Sequence, residues 1–103
     1  MDLKRYEELS QGIISKANEI ENKKRPAYIV GSPDVLANFK NVGKRLGITP
    51  SEALGVYFLK HIDAITSLLR DPGIPQAEEI EGRFADAINY LKLAWALVNE
   101  ENE

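Results

Sequence analysis

A helix start with little conformational freedom lies at residues 49–52. Thr49-Pro50-Ser51-Glu52 combines a threonine N-cap, a proline at the first helical position and a glutamate at the third. The threonine and glutamate side chains can each accept a hydrogen bond from the other residue's backbone N–H group. Apolar residues then follow at helical spacing over more than half of the circumference, up to Leu69. This segment predicts a central, buried helix and therefore a helical protein.

Three further segments repeat apolar residues at steps of three and four, which is the helical period. The first ends at a basic run before Pro26, with an extended linker after it. The second starts at Pro33, where Ser32 is a suitable N-cap, and ends at Gly47. We predict an all-α four-helix bundle with helices at 3–22, 33–46, 50–69 and 76–99. It forms one domain, 1–103, with an N-terminal helix and basic linker at 1–25 and a helical core at 28–99.

Composition excludes several classes of protein. The 103 residues fit one domain, and a core of this size makes a homo-oligomer an expected state. The chain has no cysteine, which excludes disulfides, thiolate metal sites and a cysteine nucleophile and fits a cytoplasmic location. A net charge of −3 gives no general attraction to DNA or RNA. We expect no membrane span and no signal peptide, because charged residues interrupt the apolar stretches.

The fourth helix has apolar residues on two faces. Leu93 and Leu97 lie beyond Tyr90 on a second face, and we expect this face to pack on a partner chain. The first face is one stripe of Ile80, Phe84, Ile88, Leu91, Trp95 and Val98.

Two base–acid pairs occur within apolar stretches of the third and fourth helices. Lys60 precedes Asp63 by three residues, and Arg83 precedes Asp86 by three, so each pair shares a helix face. The pairs can neutralise each other across the two helices, which is a purely structural interpretation. They can also meet a ligand, with the bases on phosphate and the acids on a base or ribose. A third interpretation is a Mg²⁺ site at Asp63 and Asp86, completed by Glu52, Glu79 or Glu81.

Other candidate ligand residues surround these pairs. His61 is a core-edge histidine or a ligand contact, and Asn89 and Tyr90 can bond to and stack on a base or fill the core. The basic run ending at Arg25 either opposes a helix dipole or contacts phosphate, with Tyr28 close behind. Free amides at a helix start near Ser32 could hold a phosphate, or simply begin the helix.

Residues 28–97 contain three motifs: Tyr28-x-x-Gly31-Ser32-Pro33 with Asn38-Phe39, Lys60-His61-Ile62-Asp63, and Gly82-Arg83-Phe84-Ala85-Asp86-Ala87-Ile88-Asn89-Tyr90. Through these motifs the segment resembles small phage and prophage proteins related to the all-α, MazG-type nucleoside triphosphate pyrophosphatases. The resemblance implies a helical dimer or tetramer, Mg²⁺ at a carboxylate cluster, and cleavage of nucleoside triphosphates to monophosphate and pyrophosphate. Asp86 matches the family's aspartate and Asp63 the last acid of its first pair, whereas Lys60 and Arg83 replace metal-binding acids.

These substitutions favour phosphate binding over metal-assisted cleavage. The leading hypothesis is a nucleotide-binding oligomer that sequesters a phosphorylated or cyclic nucleotide signal of host defence. In it Lys60, Arg83 and Arg25 meet phosphate, and Tyr28 or Tyr90 stacks on the base. One alternative is an active Mg²⁺-dependent pyrophosphatase. Another is a module without enzymatic activity that binds a host protein through the second face of the fourth helix.

Overall fold

The described chain consists mainly of α-helices, and the last of them contacts two of the others. The computed structural model describes residues 1–29, 33–76 and 79–102, and for residues 26–29 the backbone. These residues form four α-helices and no strand, which confirms the predicted all-α architecture. α4 contacts both α1 and α3, and α2 packs on α3. Within the same residues, no helix has the length and apolarity needed to cross a membrane. The helices are α1 (Leu3–Ile29), α2 (Ala37–Leu46), α3 (Pro50–Arg70) and α4 (Ile80–Glu101).

The α2–α3 corner forms as its sequence predicts. Thr49 Oγ1 accepts a hydrogen bond from the Glu52 N–H at 3.1 Å, and Glu52 Oε1 accepts one from the Thr49 N–H at 3.1 Å. Gly47 ends α2 with φ 69°, a left-handed conformation that glycine adopts without steric cost. Gly43 lets the corner close, since a Cβ there would lie 2.7 Å from the Ile48 carbonyl oxygen. The end of α2 and the start of α3 are therefore fixed by local chemistry.

α1 is longer than predicted, because it continues through Pro26 to Ile29 instead of ending at residue 22. Proline removes one helical hydrogen bond, so a compensating gain is needed. Lys23 and Arg25 supply part of it through ion pairs at 3.1 Å with acids one turn earlier on α1. Lys24 reaches Asp86 on α4. The basic run thus extends the helix, and the predicted extended linker at its start is wrong.

α2 and α4 each begin one turn later than predicted. The backbone from Pro33 to Leu36 forms a turn, in which the Asp34 carboxylate accepts the Leu36 N–H at 2.9 Å, and α2 starts at Ala37. The predicted cap, Ser32, lies outside the described residues. Helix α4 starts at Ile80 instead of residue 76. Polar groups near both starts bond within turns, which competes with helix formation.

A small core lies where α2, α3 and α4 meet. The Phe39 ring packs edge-on against Tyr57 and Tyr90, with centroids 6.1 and 6.2 Å away. Leu97 is only 4% exposed, and Leu93 packs against the same cluster. The face that we expected to meet a partner chain is therefore the core face of α4. The buried members of the cluster are Leu36, Phe39, Ala53, Leu54 and Leu97.

The main apolar stripe of α4 lies on the outside. We call Ile80, Phe84, Ile88, Leu91, Trp95 and Val98 the outer stripe. Trp95 is 69% exposed, Leu91 56% and Val98 49%, while Phe84 and Ile88 are half-buried. The core side of α4 is formed instead by Tyr90 and the residues that follow it at helical spacing.

Candidate functional site: a pocket between α1 and α4

Four of the predicted ligand residues, Arg25, Asp86, Asn89 and Tyr90, line one pocket between α1 and α4. Its volume is about 240 Å³. Val35, in the turn before α2, forms part of one wall. The apolar part of the lining is Ile20, Val35, Leu93 and Ala96, and the polar part is Glu21, Lys24, Arg25, Asp86, Asn89, Tyr90 and Lys92.

Ion pairs join the two helices across the pocket. Lys24 Nζ lies 3.5 Å from Asp86 Oδ1, which fixes the charged end of α1 to α4. Glu21 is shared by two cations: Arg25 Nη2 at 3.1 Å and Lys92 Nζ at 3.0 Å. Among the described lining residues, three bases thus meet two acids, which leaves an excess of one positive charge.

The cations and acids lie at different depths. The side chains of Lys24 and Arg25 are 51% and 54% exposed, whereas those of Asp86 and Glu21 are 17% and 27% exposed. The bases therefore form the rim and remain accessible to a dissolved anion. The acids lie deeper, where they can accept hydrogen bonds from a ligand's amino or hydroxyl groups.

Asn89 holds the two helices together. Its amide Nδ2 donates to the Ala17 carbonyl oxygen at 2.9 Å, and its Oδ1 accepts from Lys92 at 3.5 Å. Ala17 and Ala85 are 1% and 0% exposed, and Ala85 lies one turn before Asn89 on the same face. Small side chains and one amide bond thus allow a close crossing of α1 and α4. Asn89 positions the pocket walls as well as lining the pocket.

Tyr90 connects the pocket to the core. Its ring lies 5.1 Å from the His61 ring and 6.2 Å from the Phe39 ring, measured between centroids. His61 is 7% exposed, so it belongs to the packed interior of α3. A ligand in the pocket can touch the part of Tyr90 that lines it, but His61 lies behind that ring.

The two base–acid pairs do not converge as the sequence suggested. Lys60 and Asp63 are exposed on α3, on the side away from buried His61. Arg83 is half-buried on α4, and the Asp86 ion pair goes to Lys24 of α1 and not to Lys60. Across residues 1–29, 33–76 and 79–102, no group of three or more acid or histidine side chains is arranged to hold a metal ion.

The side chains of two predicted ligand residues lie outside the described part of the chain, and the pocket contains residues that were not predicted. The Tyr28 side chain and Ser32 lie outside the described residues. The structure adds Glu21, Lys24 and Lys92 to the pocket. Glu21 and Lys24 share a face of α1, and Lys92 follows Asn89 by three residues. Glu21 and Lys92 lie within the predicted helices, but spacing does not show which residues of two helices face each other. Lys24 joins them because α1 continues past residue 22.

Comparisons of the chain with protein-family models, with curated proteins and with solved structures found no match. The resemblance to MazG-type pyrophosphatases therefore stays a prediction that rests on its short motifs.

Proposed function

We propose that the chain binds a phosphorylated nucleotide in the α1–α4 pocket and holds it without cleaving it. The observation that carries this proposal is the rim of Lys24, Arg25 and Lys92 above an apolar, tyrosine-containing wall. Such a pocket suits a ligand with an anionic end and a flat, partly apolar end. A nucleotide has both, and a cyclic dinucleotide signal of host defence is one member of this class.

Exchange of ion-pair partners supplies the binding mechanism. A phosphate that reaches the rim can replace the Glu21 carboxylate as the partner of Arg25 and Lys92. Arg25 suits this role because a guanidinium group binds phosphate oxygens in a bidentate manner. The base can lie against Leu93 and Tyr90, with Asp86 accepting a hydrogen bond from an amino or hydroxyl group.

The charge of the pocket supports retention of the ligand over hydrolysis. Asp86 is the only acid of the two motif pairs that lines the pocket, and it already neutralises Lys24. Three bases against two acids favour an anion over a divalent cation at this place. Among the described lining residues, no contact favours the pyrophosphatase alternative.

Isothermal titration calorimetry tests the proposal with nucleoside triphosphates and with cyclic di- and trinucleotides. We expect at least one to bind, and Arg25→Met and Lys92→Met each to weaken it about 10- to 100-fold. Lys44→Met, an exposed base on α2, is the matched control and should leave the affinity unchanged. No heat with any compound would contradict the proposal.

Two further results would assign the ligand to a different site or the chain to a different activity. Loss of binding in Lys60→Met, with normal binding in Arg25→Met, would place the ligand on α3. Release of pyrophosphate in the presence of Mg²⁺ that stops in Asp86→Asn would show that the chain is a hydrolase.

A further inference from the structure

The N-terminal part of α1 extends beyond the rest of the molecule. Residues 1–9 are all exposed, although they belong to a continuous helix from Leu3 onward. We call residues 3–13 the arm. Leu3, Tyr6 and Leu9 are 70%, 60% and 43% exposed. They lie on one side of the arm at steps of three residues, and Ile13 continues the series.

The arm receives little support from its own chain. Where it starts to meet the body, Leu9 and Ile13 border a groove together with Glu81 and Phe84 at the start of α4. An isolated helix of about ten residues is marginal in water, and most helical stability comes from packing of its apolar face. The apolar side of the arm is therefore suited to packing against another surface.

The outer stripe of α4 is the second uncovered apolar surface. It meets the arm at Phe84 and extends to Val98 at the far end of α4. Trp95 and Tyr6 are the largest side chains on the two surfaces, and these residue types are enriched at the centres of protein interfaces. The two surfaces together form one continuous patch.

The chain as a whole exposes more surface than a compact monomer of its mass. The chain's accessible surface is 7392 Å², while a compact monomer of 11.5 kDa exposes about 5,800 Å². The radius of gyration of 15.6 Å likewise exceeds the value of about 13 Å for a compact domain of this length. The excess of about 1,600 Å² belongs to the whole chain, and it exceeds the roughly 800 Å² that each partner buries in a standard interface.

We propose that a second copy of this chain covers this patch, with the arm of each copy packed on the outer stripe of the other. The arm cannot cover its own stripe beyond Phe84, because Trp95 lies about 16 Å further along α4 and α1 continues unbroken to Ile29. A surface made of two complementary parts suits a two-fold symmetric dimer, in which each contact occurs twice.

The single tryptophan makes the proposal directly testable, because Trp95 lies on the outer stripe. Sedimentation equilibrium of the full chain should give twice the mass of 11.5 kDa. Dilution should dissociate the dimer and shift the Trp95 emission to longer wavelength. Leu9→Glu should give a monomer with red-shifted emission at every concentration, and Trp95→Glu should also give a monomer.

Val56→Glu is the matched control, because Val56 is 62% exposed on α3 and outside both surfaces. It should remain a dimer with unshifted emission. Circular dichroism should show that all three variants stay folded, with Leu9→Glu and Trp95→Glu losing at most the helical signal of the arm. Since Leu9 and Trp95 lie outside the α1–α4 pocket, nucleotide binding by these variants reports on the proposed function separately.

Three results would overturn the proposal. One is a wild-type chain that stays monomeric up to about 100 μM or assembles beyond a dimer. A second is dissociation by Val56→Glu with Leu9→Glu still dimeric. The third is a monomeric wild-type chain whose Trp95 emission shifts only when a different protein binds, which would assign the patch to that partner.

Discussion

The two apolar faces of α4 repeat residues at the same helical spacing, yet the structure covers only one of them. The inner face, with Tyr90, Leu93 and Leu97, is covered by α2 and α3. The outer stripe leaves Leu91 and Trp95 more than half exposed. Helical periodicity thus identifies a face that is suited to burial, but it does not show whether the same chain or another chain covers that face. The face that the sequence analysis assigned to a partner, with Leu93 and Leu97, is the core face, and the six-residue stripe is largely exposed.

The largest expected effect is a difference in the free energy of unfolding between substitutions at neighbouring residues on the two faces. Leu97→Ala removes a buried side chain from the core cluster, so it should lower the free energy of unfolding by about 2–5 kcal/mol. Val98→Ala, on the outer stripe, is the matched substitution and should cost about 0.5 kcal/mol or less in the monomer. Urea unfolding at several protein concentrations measures both.

Concentration dependence sharpens this test. The cost of Val98→Ala should increase with protein concentration if the outer stripe is covered by a second copy, because association stabilises only the folded state. The monomeric part of the Leu97→Ala cost should stay constant. Equal losses for both variants in dilute protein would contradict the division of α4 into covered and exposed faces.

The next-largest effect tests the α2–α3 corner, where the end of α2 and the start of α3 approach closely. Gly43→Ala places a methyl group against the Ile48 carbonyl, which cannot move without shifting the start of α3. We expect a loss of about 1–3 kcal/mol. Gly55→Ala is the control, since a Cβ at Gly55 meets nothing within 4 Å, and it should stabilise the helix by about 0.5–1 kcal/mol. Thermal unfolding that ranks the two variants in the opposite order would disprove the close approach.

A third effect tests the polar crossing of α1 and α4. Asn89→Ala removes the bond to the Ala17 carbonyl and should cost about 1–2 kcal/mol. The control is Asn99→Ala, whose side chain donates only to the Trp95 carbonyl of its own helix in the described structure and which should have little effect. Amide hydrogen exchange should increase mainly in α1. Uniform acceleration in all helices would show that the crossing and the core unfold together.

Sequence reasoning predicts the parts of the fold that local chemistry determines. The helix start at Thr49 and the end of α2 at Gly47 are confirmed, because each needs only neighbouring residues. α1 does not end at residue 22 as predicted, because ion pairs of the basic run compensate for part of what Pro26 costs the helix. One of those pairs joins Lys24 to a residue on α4, and no local pattern reveals it.

The candidate site was predicted in part for the same reason. Asp86, Asn89 and Tyr90 were found because they follow one another on a single helix. Lys60 and Asp63 share a helix face, as their spacing requires, but that face is exposed. Spacing fixes which residues share a face, whereas the rotation of the helix against its neighbours depends on packing across the whole molecule. Lys92 and Glu21 enter the pocket through that packing.

The smallest expected effect concerns the charged edge of the covered side. Lys40 Nζ lies 2.6 Å from both Asp34 Oδ2 and Glu100 Oε1, so it joins the turn before α2 to the end of α4. Lys40→Met should lower the urea midpoint at neutral pH slightly, because all three groups are partly exposed to solvent. Lys60→Met, which removes an exposed base on α3, is the control and should leave the midpoint nearly unchanged.

The pH dependence of the Lys40 ion pairs follows from two groups whose pKa values are shifted. The hydrogen bond from Lys40, aided by the Leu36 N–H, lowers the pKa of Asp34 below its ordinary 3.8 in the folded chain. The stabilisation is therefore present above 3.8 and is lost as the pH falls through the lowered folded value. Bonds to Asp34 and Glu100 raise the pKa of Lys40 above 10.5, so its contribution is complete below 10.5 and is lost as the pH rises through the raised value. The difference between wild type and Lys40→Met should thus be largest between these limits and vanish in acid. A difference that persists in strong acid would mean that Lys40 stabilises the edge through its aliphatic chain and not through its charge.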